Sequence, residues 1–107
     1  MSEFAGRLTQ RVELWARSSF RSETGVSSEE MSLMLSCLAE IVAEGVGAAD
    51  EAMSVSAMPR YRVTVRRQGE FSVDQQIRWR GRRLLVRQIV DDPKLPDRLV
   101  LRCEEQR

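Results

Sequence analysis

From Arg60 to the end of the chain, apolar residues recur at every second position, and this period commits the segment to antiparallel sheet. In "RYRVTVRR", Tyr61, Val63 and Val65 fall on one side, with Arg60, Arg62, Thr64 and Arg66 opposite. In "QIRWRGRRLLVRQIV" two such runs meet at Gly81, a residue that tolerates the positive φ of a tight turn. Arg78 and Arg80 are out of phase with Ile77 and Trp79 before that turn, as are Arg83 and Arg87 with Leu84 and Val86 after it. The arginines therefore belong to the solvent face of a sheet whose other face makes the core. Gly69 and Asp74 carry turn chemistry between the first two of these runs. "DDPKLPDR" has two prolines and three aspartates, which suit a loop, and "RLVLRCEE" closes the chain with Leu99, Leu101 and Cys103 inward. Several short strands in a chain of 107 residues point to one small antiparallel barrel or sandwich.

The first half is less regular. "LTQRVELWAR" alternates as a half-buried strand, with Leu8, Gln10, Val12, Leu14 and Ala16 on one face. Trp15 lies on the polar face, where it needs a cover or a partner. Residues 18–30, "SSFRSETGVSSEE", read as a long serine-rich loop. In residues 31–44 the apolar positions Met31, Met34, Leu35, Leu38, Ile41 and Val42 follow helical spacing, and Ser27 with Glu30 could form a capping box. "GVGAADEAMSVSAMP" then reads as a flexible crossing with room for one short helical turn.

Net charge is +1, but it is unevenly spread: residues 1–59 hold four arginines against nine acids, while residues 60–107 hold twelve arginines and one lysine against seven acids. The predominance of arginine favours planar and stacked contacts over loose point charges. There is no histidine, no GxSxG elbow and no SxxK pair, so the sequence offers no constellation for an enzyme and none for a metal or cofactor. Cys37 and Cys103 sit among apolar neighbours without CxxC spacing and read as buried free thiols. No apolar run approaches the roughly 20 residues that span a bilayer, and "MSEFAGRLTQ" lacks signal-peptide character. The expected site of synthesis and residence is the cytoplasm, with no membrane partner.

Most of the chain resembles the head–tail joining proteins of tailed bacteriophages, also called stopper or head-closure proteins. The resemblance runs through "GRLTQRVELWAR", "CLAEIVAE", "YRVTVRR", the hairpin "IRWRGRRLLVRQIVDDP" and the terminal "RLVLRCEE". It implies a mainly β fold: residues 1–107 as one antiparallel β-barrel of about six strands with two long loops, residues 33–44 becoming a strand. It further implies a subunit that rings the neck of a phage, prophage or gene-transfer-agent particle in six or twelve copies. The ring would touch portal or adaptor proteins on one side and tail terminator or tail tube proteins on the other. Packaged double-stranded DNA would pass through it or be held back by it.

A ring subunit must show complementary faces to its two neighbours. Arg62, Arg66, Arg78, Arg80 and Arg82 are the expected interface residues. The two long loops are the candidates for a gate, carrying Glu23, Glu29, Glu30, Gly45, Gly47, Asp50 and Glu51; acids lining a DNA conduit repel phosphates. The alternative reading of the same arginines is a small nucleic-acid-binding barrel with Trp79 and Tyr61 as stacking surfaces.

Overall fold

Alternation along each run is what builds the wall. In the computed structural model, which describes residues 3–21, 27–46, 58–69 and 71–106, a short helix α1 (Glu3–Arg7) precedes six strands. These are β1 (Gln10–Arg21), β2 (Ser27–Val46), β3 (Pro59–Arg66), β4 (Gln76–Trp79), β5 (Arg82–Val90) and β6 (Arg98–Gln106). All pairs are antiparallel, and the order β1-β2-β3-β6-β5-β4 closes into a barrel. Inward residues meet across the strands: Val63 opposes Leu101, which opposes Ile89; Tyr61 opposes Cys103, which opposes Val86. Val12, Leu14, Ala39, Val63, Val65, Ile77, Leu84, Val86 and Leu101 are almost fully buried and make one core.

The seam where the cylinder closes is thin. β1 meets β4 only through Glu13–Arg78, Leu14–Ile77 and Trp15–Gln76. Past Trp15, β1 has no β4 partner, and before Ala39, β2 has no β3 partner. The two strands nevertheless stay paired from Ala16–Ser32 to Arg21–Ser27. This makes a two-stranded arm; at 3.2–3.4 Å per residue, its six pairs span roughly 20 Å. The serine-rich segment 18–30 is therefore largely strand: residues 18–21 and 27–30 belong to the arm, not to a loop. Hydrogen bonding across the pair overrides the loop-like composition.

Residues 31–44 are strand, not helix. A register shift opposite Leu14/Trp15 leaves Met34 as an extra residue. Met34 and Leu38 are apolar yet exposed, and added to the inward Leu35 and Ile41 they imitate helical spacing. Two more bulges insert Glu44 opposite the Tyr61–Arg60 step and Arg87 opposite the Cys103–Arg102 step.

α1 lies against the outside of the wall. Phe4 is buried, with the Arg98 guanidinium 3.9 Å from its ring and those of Arg66 and Arg7 at 5.9 Å; Arg7 reaches Glu40 at 3.9 Å. Thr64 shares the outward phase with Glu40 and Val100 yet is buried, as expected of a position the helix covers. The sequence reading placed no helix here.

Both central residues of the β4–β5 hairpin have positive φ, 50° at Arg80 and 76° at Gly81, which suits the twist of the flanking strands. A Cβ at Gly81 would meet no neighbour, so the cost of Gly81→Val is purely conformational. Denaturant unfolding should show a loss of about 1–3 kcal/mol for this variant, and a clearly smaller loss for Gly81→Asn.

Candidate assembly surface

Outward phase does not leave the arginines free. Arg78 stacks over Trp15 at 3.9 Å and donates to Gln76 Oε1 at 2.7 Å, while the Trp15 indole N–H donates to Glu13 Oε1 at 3.0 Å. This contact is the cover that Trp15 required. Arg66 faces Phe4, and Arg62 lies 4.0 Å from Glu44. Arg80 and Arg82 flank Trp79 at 5.5 and 5.7 Å. The five candidate interface arginines thus fall into three places: the β3 outer face, the β4 outer face across the barrel from it, and one barrel end.

That end is a polar lid. Tyr61 and Trp79 pack edge-on with ring centroids 5.7 Å apart. The Trp79 N–H donates to Gln10 Oε1 at 3.0 Å, and Arg82 donates to the Tyr61 hydroxyl at 2.5 Å. Arg82 also lies 3.5 Å from Glu105. Both aromatics are turned inward and held by neighbours, an arrangement unlike an open base-stacking platform.

Several arginines also gather around β6. Glu44, Arg60, Arg87, Gln88, Arg102 and Glu104 line a groove of about 520 Å³ on the outside of β3, β6 and β5. Arg60 reaches Glu104 at 3.8 Å and Arg102 reaches Glu44 at 3.4 Å. Arg87 has no acidic partner among the described residues; a bulge that breaks the ladder re-aims its side chain. The sequence reading passed over this cluster, because a bulge leaves no mark on a strictly alternating pattern.

Of the candidate gating residues, Glu30 is exposed on the arm and Glu29 stands beside it, opposite Ser19. Gly45 follows the Glu44 bulge with φ 87°, a conformation that favours glycine. Glu23, Gly47, Asp50 and Glu51 lie outside the described residues.

Cys37 and Cys103 are buried and free. Burial pushes the Cys103 thiol up to about 12 from its ordinary 9.0, with Glu44 adding to the shift. A thiol raised in the fold remains neutral while the unfolded chain ionises. Its contribution is therefore intact below the unfolded pKa and lost as pH rises toward the folded one. The melting temperature should fall as pH rises from about 9 toward 12, and fall less steeply in Cys103→Ala; equal slopes would contradict this origin.

The chain matches the model of the phage head completion protein family over residues 5–106, and it belongs to that family. The family is one of structural virion components rather than enzymes. The solution structure of a protein from Shigella flexneri 2a is similar at 21% identity with a TM-score of 0.75, covering 94% of each chain. A chain in the virion of a native gene transfer agent particle is similar at 15% identity with a TM-score of 0.69, covering 94% of this chain and 96% of that one. Both share the barrel fold. No curated protein sequence matches the chain.

Proposed function

We propose that this head completion protein is a connector, or stopper, subunit: copies form a ring between the portal or adaptor and the tail, retain packaged DNA and dock the tail. The observation that carries the reading is the arm. A closed barrel has satisfied its own sheet edges, yet β1 and β2 run on as a ribbon whose outer edges have no strand beside them among the described residues. Such an extension suits a protein whose job is to grip neighbours.

Within the ring, Arg62, Arg66, Arg78, Arg80 and Arg82 supply contacts at the walls and the polar lid. The segment between β2 and β3, with Gly47, Asp50 and Glu51, forms the gate; small residues let several copies crowd near an axis, and acids keep the duplex from adhering. The arm glutamates Glu29 and Glu30 play a lateral part rather than an axial one.

A producing strain lacking the gene tests the role. It should accumulate DNA-filled heads that lose their contents and carry no tails under the electron microscope, with normal particles restored by the full chain. Tailed, DNA-retaining particles without the protein would overturn the reading. Reversing charge at Arg78 and Arg80 together should lower the particle titre by about tenfold or more if these residues anchor contacts. An unchanged titre removes them from the interface.

A further inference from the structure

We infer that the groove on the outside of β3, β6 and β5 receives an acidic segment of another virion protein, whose first carboxylate is taken by Arg87. This rests on the connector reading above and adds the surface and the chemistry of one partner.

Two bulges flank the groove. Glu44 is the extra residue of β2 and Arg87 that of β5, and both bulges abut the Tyr61–Cys103 pair, one on each side of the β3–β6 ladder. A bulge adds local twist and re-aims its extra side chain. Between them lies a recess of about 520 Å³, and each bulge sends a charged residue into its lining.

The charges in the recess do not balance. Arg62 and Arg102 stand directly opposite each other across β3 and β6, a repulsive pairing. The bulged Glu44 relieves it by lying 4.0 Å from the first and 3.4 Å from the second. Glu104 is engaged as well, 3.8 Å from Arg60. Both carboxylates of the groove are thus committed within the subunit. Arg87 and Gln88 are exposed on its β5 side, and Arg87 has no acidic partner among the described residues. The positive charge left over favours an incoming acid.

A carboxylate from a different protein fits this groove better than the alternatives do. A duplex would bring a row of phosphates past Glu44 and Glu104, which repel them. A second copy of this chain gains little by docking here. Its Glu13, Glu40, Asp91, Asp92, Asp97 and Glu105 already face donors of their own subunit, so presenting any of them trades one pair for another. An acidic segment from elsewhere adds pairs without breaking any: one carboxylate meets Arg87, and a second joins the network at Arg60 and Arg102.

Arg87→Glu should cut the particle titre by about tenfold or more while the purified variant melts as the parent does, and Arg87→Lys should recover part of the loss. An unchanged titre for Arg87→Glu overturns the inference. The occupant is then identified in purified particles by photo-crosslinking from p-benzoylphenylalanine in place of Gln88. The expected adduct joins a different virion protein through a peptide that holds two or more aspartates or glutamates. An adduct with a second copy, an adduct with DNA, or particles that contain the variant without any adduct each overturn the inference and leave the connector reading standing. Where the bulky probe keeps the variant out of particles, second-site revertants of Arg87→Glu decide. A revertant that exchanges an acid for lysine or arginine in another virion protein supports the contact, and revertants confined to this chain overturn it. Absence of the wild-type protein from purified particles overturns the connector reading too.

Discussion

Replacing Leu101 by alanine should cost about 2–5 kcal/mol of folding stability, enough to leave much of the protein unfolded at growth temperature. Leu101 is fully buried at the middle of β6, between Val63 of β3 and Ile89 of β5. Its loss opens a void that three strands border and none can collapse into, because each is held by its ladder on both sides. A domain of this size has only about 5–15 kcal/mol of net stability to lose. Chemical denaturation measures the difference directly. Leu38→Ala is the control: Leu38 is 43% exposed, and its change should stay within about 0.5 kcal/mol. Comparable losses at both positions would mean that the barrel interior is not where the stability resides.

The second large effect concerns the gate. Excising residues 48–55 leaves the Val46–Pro59 and Gly45–Arg60 pairs intact, so the wall should still close. The purified variant should melt within a few degrees of the parent, since every β2–β3 pair is retained. Particles made with it should carry tails but release their DNA, lowering the titre by about a hundredfold or more. Full, infectious particles would move the gate elsewhere on the ring, and loss of the tails as well would show that the segment serves docking. The contrast between intact folding and failed retention is what makes the variant informative.

The second half of the chain was readable because each of its strands has one wet and one dry face. Tyr61, Val63 and Val65 point in, as do Ile77, Leu84, Val86, Leu99, Leu101 and Cys103, as their alternation requires. The hairpin at Gly81 followed from turn chemistry alone. β2 was harder, since Met34 and Leu38 are apolar although they face outward, and the local pattern then fits a helix; only pairing with β1 and β3 decides. α1 was invisible for the opposite reason. Five residues carry no period, and the burial of Phe4 depends on Arg66 and Arg98, which are distant in sequence.

The surface was legible only in its composition. Alternation puts arginines outside but does not say what they meet there. Arg78 is committed to Trp15 and Arg66 to Phe4, both aromatic partners from the first half of the chain. Arg87 looks like any other outward arginine in the sequence, and what sets it apart is a step in the register of its strand.

The β1–β4 joint gives the molecule a preferred place to come undone. Three residue pairs close a cylinder whose other walls are bound by four to twelve, so the staves part first along that line. Amide protons of Leu14 and Ile77 should then exchange with solvent sooner than their depth suggests, while those of Val63 and Leu101 persist until the whole molecule unravels. β4 is also the shortest stave; its pairing with β5 is local across a two-residue turn, whereas its pairing with β1 joins distant parts of the chain, so the β1–β4 joint is expected to close late in folding.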